Sequence, residues 1–181
     1  MTTTDGCGEG WSSIGLAETY PGITVHGHDV DEHAIEAARR HAAEAGVADR
    51  VAFSLADATR GLDGGPYDVA IAVECVHDMP RPVEVLAAVR EAAAPDALVY
   101  VVDEAADPAF SAPGDELQRL FYGFSIMVCL PDSLSHPDSV ATGTVMRPST
   151  LDGYAKAAGF TAARPLDLAG TGFWRFYQLT L

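Results

Sequence analysis

At 181 residues the chain is long enough for one domain that buries most of its apolar surface and too short for two ordinary ones. Its 26 acidic residues against 11 basic ones leave a formal charge of -15 with no basic cluster, which argues against a surface built to neutralise phosphates and against a nucleic-acid partner. No apolar run reaches the ~20 residues that span a bilayer, the N-terminus lacks a signal-peptide pattern, and Cys7, Cys75 and Cys129 form no C-x-x-C pair, so the expectation is a cytoplasmic chain with no membrane segment, no disulfide framework and no metal site.

In chain order, Thr4-Asp5-Gly6-Cys7-Gly8-Glu9-Gly10 reads as a glycine-rich turn between a first strand and a helix that begins near Trp11. Glycines at alternate positions let a ligand lie against the main chain, and the helix that follows offers free N–H groups and the positive end of its dipole to a negative ligand group. The pattern is G-x-G-x-G, because Trp11 stands where the dinucleotide fingerprint G-x-G-x-x-G needs glycine. Pro21-Gly22 stops this helix, and residues 23–29 read as a second strand ending on Asp29. In a strand–helix–strand unit that acid lies beside the glycine turn, where it can accept hydrogen bonds from both hydroxyls of a ribose. The competing role is a helix N-cap, for which Asp31 is better placed.

Ala34, Ile35, Ala38, Ala42 and Ala45, followed by Gly46, predict an amphipathic helix over about residues 32–45. Residues 50–55 predict a third strand, after which Asp57 either accepts from a ligand amine or caps a turn. The nearly unbroken apolar run 67–74 suits a central strand covered on both faces. After Cys75-Val76-His77-Asp78-Met79-Pro80 come a helix over about 82–93 and a fifth strand, 98–102, ending in Asp103-Glu104. His77 is the best-placed base, since Glu74 and Asp78 are close in sequence and a carboxylate neighbour would orient an imidazole and raise its pKa. The alternative is a loop histidine that caps the next helix.

Alternating strands and helices predict a parallel sheet with helices on both faces and a ligand crevice outside the strands' C-terminal ends. Residues 105–149 break the rhythm with a helix from about 114 to 130 whose Leu117, Leu120, Phe121, Phe124, Met127 and Val128 share an apolar face, while Tyr122, Ile126 and Cys129 make the other side apolar too. Such a helix is expected against a lid, a substrate, a second subunit or the ordinary core. A last helix, 149–159, precedes a hairpin that pairs 160–168 with 173–181.

Together, Gly6-Cys7-Gly8-Glu9-Gly10, Asp29, Asp57 and the terminal hairpin resemble the class I S-adenosylmethionine-dependent methyltransferases over residues 4–181. The resemblance implies an α/β fold with a Rossmann-like, doubly wound, mostly parallel seven-stranded sheet that ends in an antiparallel hairpin and has a shortened first strand. It implies S-adenosylmethionine as cofactor, with Asp5, Gly6, Cys7, Gly8 and Gly10 at its methionine end, Asp29 at the ribose, Asp57 and Ala58 at the adenine, and Val30 and Glu74 completing the site. Residues 74–79 and the apolar insertion look like a bacterial subgroup with a winged-helix domain in front. That front domain is absent, and Met1-Thr2-Thr3-Thr4 is short and polar where a buried central strand is expected, so the chain reads as N-terminally truncated. Thr4 also stands where the family carries an acid, two residues before the first glycine, and Asp5 follows one place later.

The implied layout is one S-adenosylmethionine-binding methyltransferase domain over 1–181, with 105–149 as a helical insertion or lid that brings Phe121 and Phe124 to an acceptor pocket beside His77. Strand four is not followed by Pro-Pro-Tyr and no Pro-Cys nucleophile is present, which with the acidic charge favours a small apolar or aromatic acceptor over nucleic acid. The expected activity is methyl transfer to such a molecule, served by His77, Glu74 and Asp78, with a homodimer as an open possibility. Two rivals stand beside it: a non-catalytic cofactor-binding or regulatory remnant of such a domain, and a nicotinamide oxidoreductase, against which Trp11 and the terminal hairpin argue.

Overall fold

A computed structural model describes all 181 residues. Seven strands, β1 (Thr2–Asp5), β2 (Val25–Asp29), β3 (Val51–Leu55), β4 (Tyr67–Val73), β5 (Ala93–Glu104), β6 (Ala162–Pro165) and β7 (Trp174–Thr180), form one sheet in the order β3-β2-β1-β4-β5-β7-β6. β1 to β5 are parallel, and β7 returns antiparallel between β5 and β6. Reversal of strand order at β1 and β4 opens a crevice at their C-terminal ends, where doubly wound sheets bind ligands.

Helices α1 (Trp11–Thr19) and α2 (Glu32–Glu44) cover β1 to β3 and enclose a core of Ile14, Val25, Ile35, Val51 and Phe53. On the other half, α3 (Pro82–Ala92) and α6 (Pro148–Ala157) bury Leu86, Val89, Val99, Val101, Leu151 and Tyr177. The rod between β5 and α6 is α4 (Glu116–Phe124), a π-helical stretch (Ser125–Cys129) and α5 (Leu130–Leu134), which ends four residues beyond the helix its apolar pattern predicts.

β1 is central and buried at all four residues although three are threonine. Local hydrogen bonds make that tolerable: the Thr3 hydroxyl donates to the His26 carbonyl at 3.1 Å, and the Thr4 and Ser13 hydroxyls lie 2.6 Å apart. The strand is short, as expected, with four residues against seven in β4. β5 begins five residues earlier than its apolar run, because Ala93 pairs with Tyr67 and the ladder resumes, after a register shift, at Val69 and Leu98.

Candidate functional site

The glycine turn is built against packed neighbours. Gly6 has φ 61 and a Cβ there would lie 2.7 Å from that of Cys75; Gly10 has φ 86 and its Cβ would lie 2.6 Å from the Phe53 ring. The turn is braced by β2: the Asp29 carboxylate accepts from the Gly8 N–H at 2.7 Å and from the Asp31 N–H at 3.0 Å. Asp31 is the N-cap of α2 and accepts from the His33 N–H at 2.8 Å, so the capping role falls to it and leaves Asp29 at the crevice. Asp57 caps the 3₁₀ turn Ala58–Arg60, accepting from the Thr59 hydroxyl at 2.6 Å and the Thr59 N–H at 3.0 Å. Those bonds, with the charges of Arg81 and Arg60, hold its carboxyl below the usual range.

A cavity of about 760 Å³ lies over these strand ends. One wall is Gly6, His28, Asp29, Val30 and the segment 56–59, and the other includes Cys75, Asp78 and Met79 from the loop after β4, with Asp132 near the end of the helical rod and His136 and Asp138 from the loop that follows it. A strap holds that second wall in place: the Gly143 N–H donates to the His77 carbonyl and the Val140 N–H to the Pro80 carbonyl, both at 3.0 Å.

Behind Asp78, a buried polar cluster centres on His77, which is 3% exposed. Its Nδ1 lies 2.8 Å from Asp103 and 3.3 Å from Glu104, and its Nε2 lies 3.3 Å from Asp78. Burial by itself would lower the imidazole's pKa, but the Asp103 hydrogen bond and the charges of Asp103, Glu104 and Asp78 outweigh it and raise it to about 9. Burial raises Glu104 to about 8, reinforced by its hydrogen bond with Asp103, and burial plus the Asp103 charge raises Glu74 to about 7. Glu74 itself sits in the left-handed region at φ 52, at the end of the central strand.

Among the residues expected at the site, Gly6, Asp29, Val30, Asp57, Ala58 and Asp78 line the cavity. Gly8 reaches it indirectly, through Asp29, and Gly10 packs against Phe53 and Ala38. Cys7 is core, 7% exposed, and Asp5 is buried at 2%. Glu74, half-buried, and His77, buried, are not among the residues that line the cavity. Phe121 is fully buried, edge-on to Phe173 with ring centroids 5.1 Å apart, and Phe124 is 46% exposed. Neither lines the cavity, because the rod presents its C-terminal end to it and not its aromatic middle. Asp103 and Glu104 are the acids that sequence reasoning did not assign to the site. They end β5, which pairs with β4, so strand adjacency at the C-terminal edge was the signal available.

Residues 5–125 match the family model described as "Methyltransferase domain". The chain belongs to this family. Over 95 residues this methyltransferase domain is 35% identical to the ubiquinone biosynthesis O-methyltransferase of Shewanella sp. (strain ANA-3), covering 52% of the chain and 39% of that protein. Its fold is shared with the mitomycin 7-O-methyltransferase MmcR (TM-score 0.76, 20% identity, 99% of this chain and 48% of that one). It is also shared with PigF, whose structure was solved with SAH (TM-score 0.76, 19% identity, 99% and 50%). The methyltransferase domain thus spans about half the length of these structures and less of the Shewanella enzyme. No helix is long and apolar enough to cross a membrane.

Proposed function

We propose that the cavity binds S-adenosylmethionine and that the domain transfers its methyl group to a small-molecule acceptor. The observation that carries this reading is the meeting, at one switch point of a parallel sheet, of the glycine turn with a strand-end carboxylate hydrogen-bonded to it. The residues present fit the cofactor. Close packing at Gly6 leaves its main chain bare of side chain, and the Asp29 oxygens, each with one donor from the protein, retain lone pairs for ribose hydroxyls. Val30, Asp57 and Ala58 line the nucleoside side, and Cys7, Gly8 and Gly10 shape the turn. When bound, S-adenosylmethionine supplies an electrophilic methyl group on a sulfonium.

The chain's own part is to hold the acceptor and take up its proton. His77 Nε2 is directed toward Asp78, which stands on the cavity wall, and Asp103 fixes Nδ1, so the pair forms a base with its orienting carboxylate; the hydrogen bond and charge of Asp103 stabilise the imidazolium. Residues 105–149 act as the lid over the acceptor side, through Asp132, His136 and Asp138 on the wall. A charge of -15 supports a small acceptor over nucleic acid, the three free thiols support a cytoplasmic setting, and the exposed Leu120, Phe124, Met127 and Val128 support a homodimer contact.

A second reading, cofactor binding without transfer, is favoured by the burial of His77. Formation of S-adenosylhomocysteine with phenolic or hydroxylated aromatic acceptors separates the two. The test of the cofactor site is calorimetry with S-adenosylhomocysteine: Asp29→Ala is expected to lose about tenfold to several hundredfold in affinity, the equivalent of ~2 to 4 kcal/mol. Unchanged affinity with an intact circular dichroism spectrum would remove Asp29 from the site.

A further inference from the structure

Arg81 is the one lysine or arginine among the residues that line the cavity. It stands just before Pro82, the first residue of α3, on the wall that carries Met79. Its side chain reaches the opposite wall, where Nη2 donates to the Thr59 hydroxyl at 2.8 Å. Chemistry fixes the direction of the next bond. A guanidinium only donates and an ionised carboxylate only accepts, so the single Thr59 hydroxyl proton goes to Asp57 Oδ1 at 2.6 Å. The Thr59 N–H reaches the same oxygen at 3.0 Å. Arg81 therefore orients the hydroxyl, and the hydroxyl together with the N–H orients the carboxylate.

The other oxygen, Asp57 Oδ2, takes no hydrogen bond from the protein. Arg81 and Arg60 stand 3.8 and 3.9 Å from it, beyond hydrogen-bond length. Burial does not close it off, because the side chain is 40% exposed and borders the cavity. Arg60, 86% exposed, makes no hydrogen bond to the turn, so the restraint from outside the turn comes from Arg81. An exposed link of this kind adds little to stability, and its effect lies in where it holds the acid.

We infer that Arg81 is a positioning residue for the nucleoside end of the cavity: through Thr59 it holds the Asp57 carboxylate so that Oδ2 meets an N–H donor on the ligand's base. It thereby sets a preference for a base that carries an amine, an inference that rests on the cofactor reading above. A purine with an exocyclic amine supplies that donor. A purine without one leaves the acid unpaired, which is how a site built to hydrogen-bond one group discriminates against its absence. The sequence conceals the arrangement, since Arg81 and Thr59 are 22 residues apart.

Calorimetry on the full chain with S-adenosylhomocysteine and its analogue lacking the base amine tests this. Wild type is expected to bind the analogue about tenfold more weakly. Arg81→Ala is expected to lose about three- to tenfold in affinity for S-adenosylhomocysteine and to bind the analogue as wild type does. Its melting temperature should stay the same, as suits a side chain 44% exposed. Thr59→Val, which removes the relaying hydroxyl, should reproduce that pattern, and the double variant should lose no more than either alone. Arg81→Lys keeps the charge without the planar fork and should recover only part of the loss. Equal binding of S-adenosylhomocysteine by wild type and Arg81→Ala overturns the inference, and so does an equal loss for both ligands, the mark of a general structural role. Additive losses at Arg81 and Thr59 would refute action through Thr59, and equal affinity of the wild type for the two ligands would remove the amine as the donor. Should Arg81→Ala not fold, Thr59→Val decides on the same two ligands. Absence of S-adenosylhomocysteine binding by the wild type overturns the cofactor reading and this inference with it.

Discussion

Around His77, burial and charge pull in opposite directions, and the carboxylates prevail. Asp103 touches Nδ1 at 2.8 Å in a site closed to water, where a hydrogen bond to the charged form of the ring is strong. At neutral pH the free protein therefore holds the imidazolium, and base catalysis requires that proton to leave first. An NMR titration of the His77 ring is expected to show a midpoint at about 9, moved to lower pH in Asp103→Asn, which removes the charge but keeps the shape. A wild-type midpoint at the ordinary histidine value would mean that the acids do not hold the proton. In an active preparation, kcat/KM should rise with pH toward the same value, since it reports the free enzyme's groups, and Asp103→Asn should lower kcat by about a hundredfold or more. The sequence places His77 beside Glu74 and Asp78. It does not reveal Asp103 as the partner, because that contact depends on how β4 and β5 end side by side.

At the scale of elements, the rod from Glu116 to Leu134 separates packing from exposure. Its apolar pattern is broad enough to allow several buried faces, and the contact with Phe173 selects the one that carries Phe121. Phe121→Ala is expected to cost ~3 to 5 kcal/mol in urea unfolding, as for a fully enclosed aromatic, whereas Phe124→Ala should stay within about 1 kcal/mol. Equal losses at the two positions would show that Phe124 is covered in solution, and sedimentation would then report whether a second copy covers it. β1 teaches the complementary lesson. Three threonines give it none of the apolar signal of a central strand, yet backbone pairing on both sides and local hydroxyl bonds hold it there.

Across the whole molecule, buried acids make stability depend on pH in one direction over a definite window. Burial raises Asp5 to about 7; Glu74 rises to about 7 and Glu104 to about 8. Each binds a proton in the folded state that the unfolded chain has already released, so its stabilising share is present at low pH and is lost as pH rises through those values. His77, raised to about 9, contributes fully below its unfolded value near 6.5 and loses that contribution on the way to 9. His28, lowered to about 4, acts oppositely but only below about 6.5. The melting temperature should thus fall between pH 6.5 and 9, and Asp5→Asn should raise it by several degrees at pH 8.5 and flatten the slope. A melting temperature that climbs across that window would refute the assignment. Here the division between sequence and structure is plain. Alternating strand and helix patterns, the G-x-G-x-G turn and the spacing to Asp29 determined the sheet, its crevice and one wall of the cavity, because backbone periodicity and turn geometry are local properties. Only tertiary structure decided that Asp103 and Glu104 meet His77, that Phe121 faces the core, that the rod's far end forms part of the second wall, and that the Thr3 hydroxyl stands 3.1 Å from His28 Nδ1. Those outcomes rest on contacts between residues distant in sequence, and a local pattern carries no information about which side chain will stand opposite.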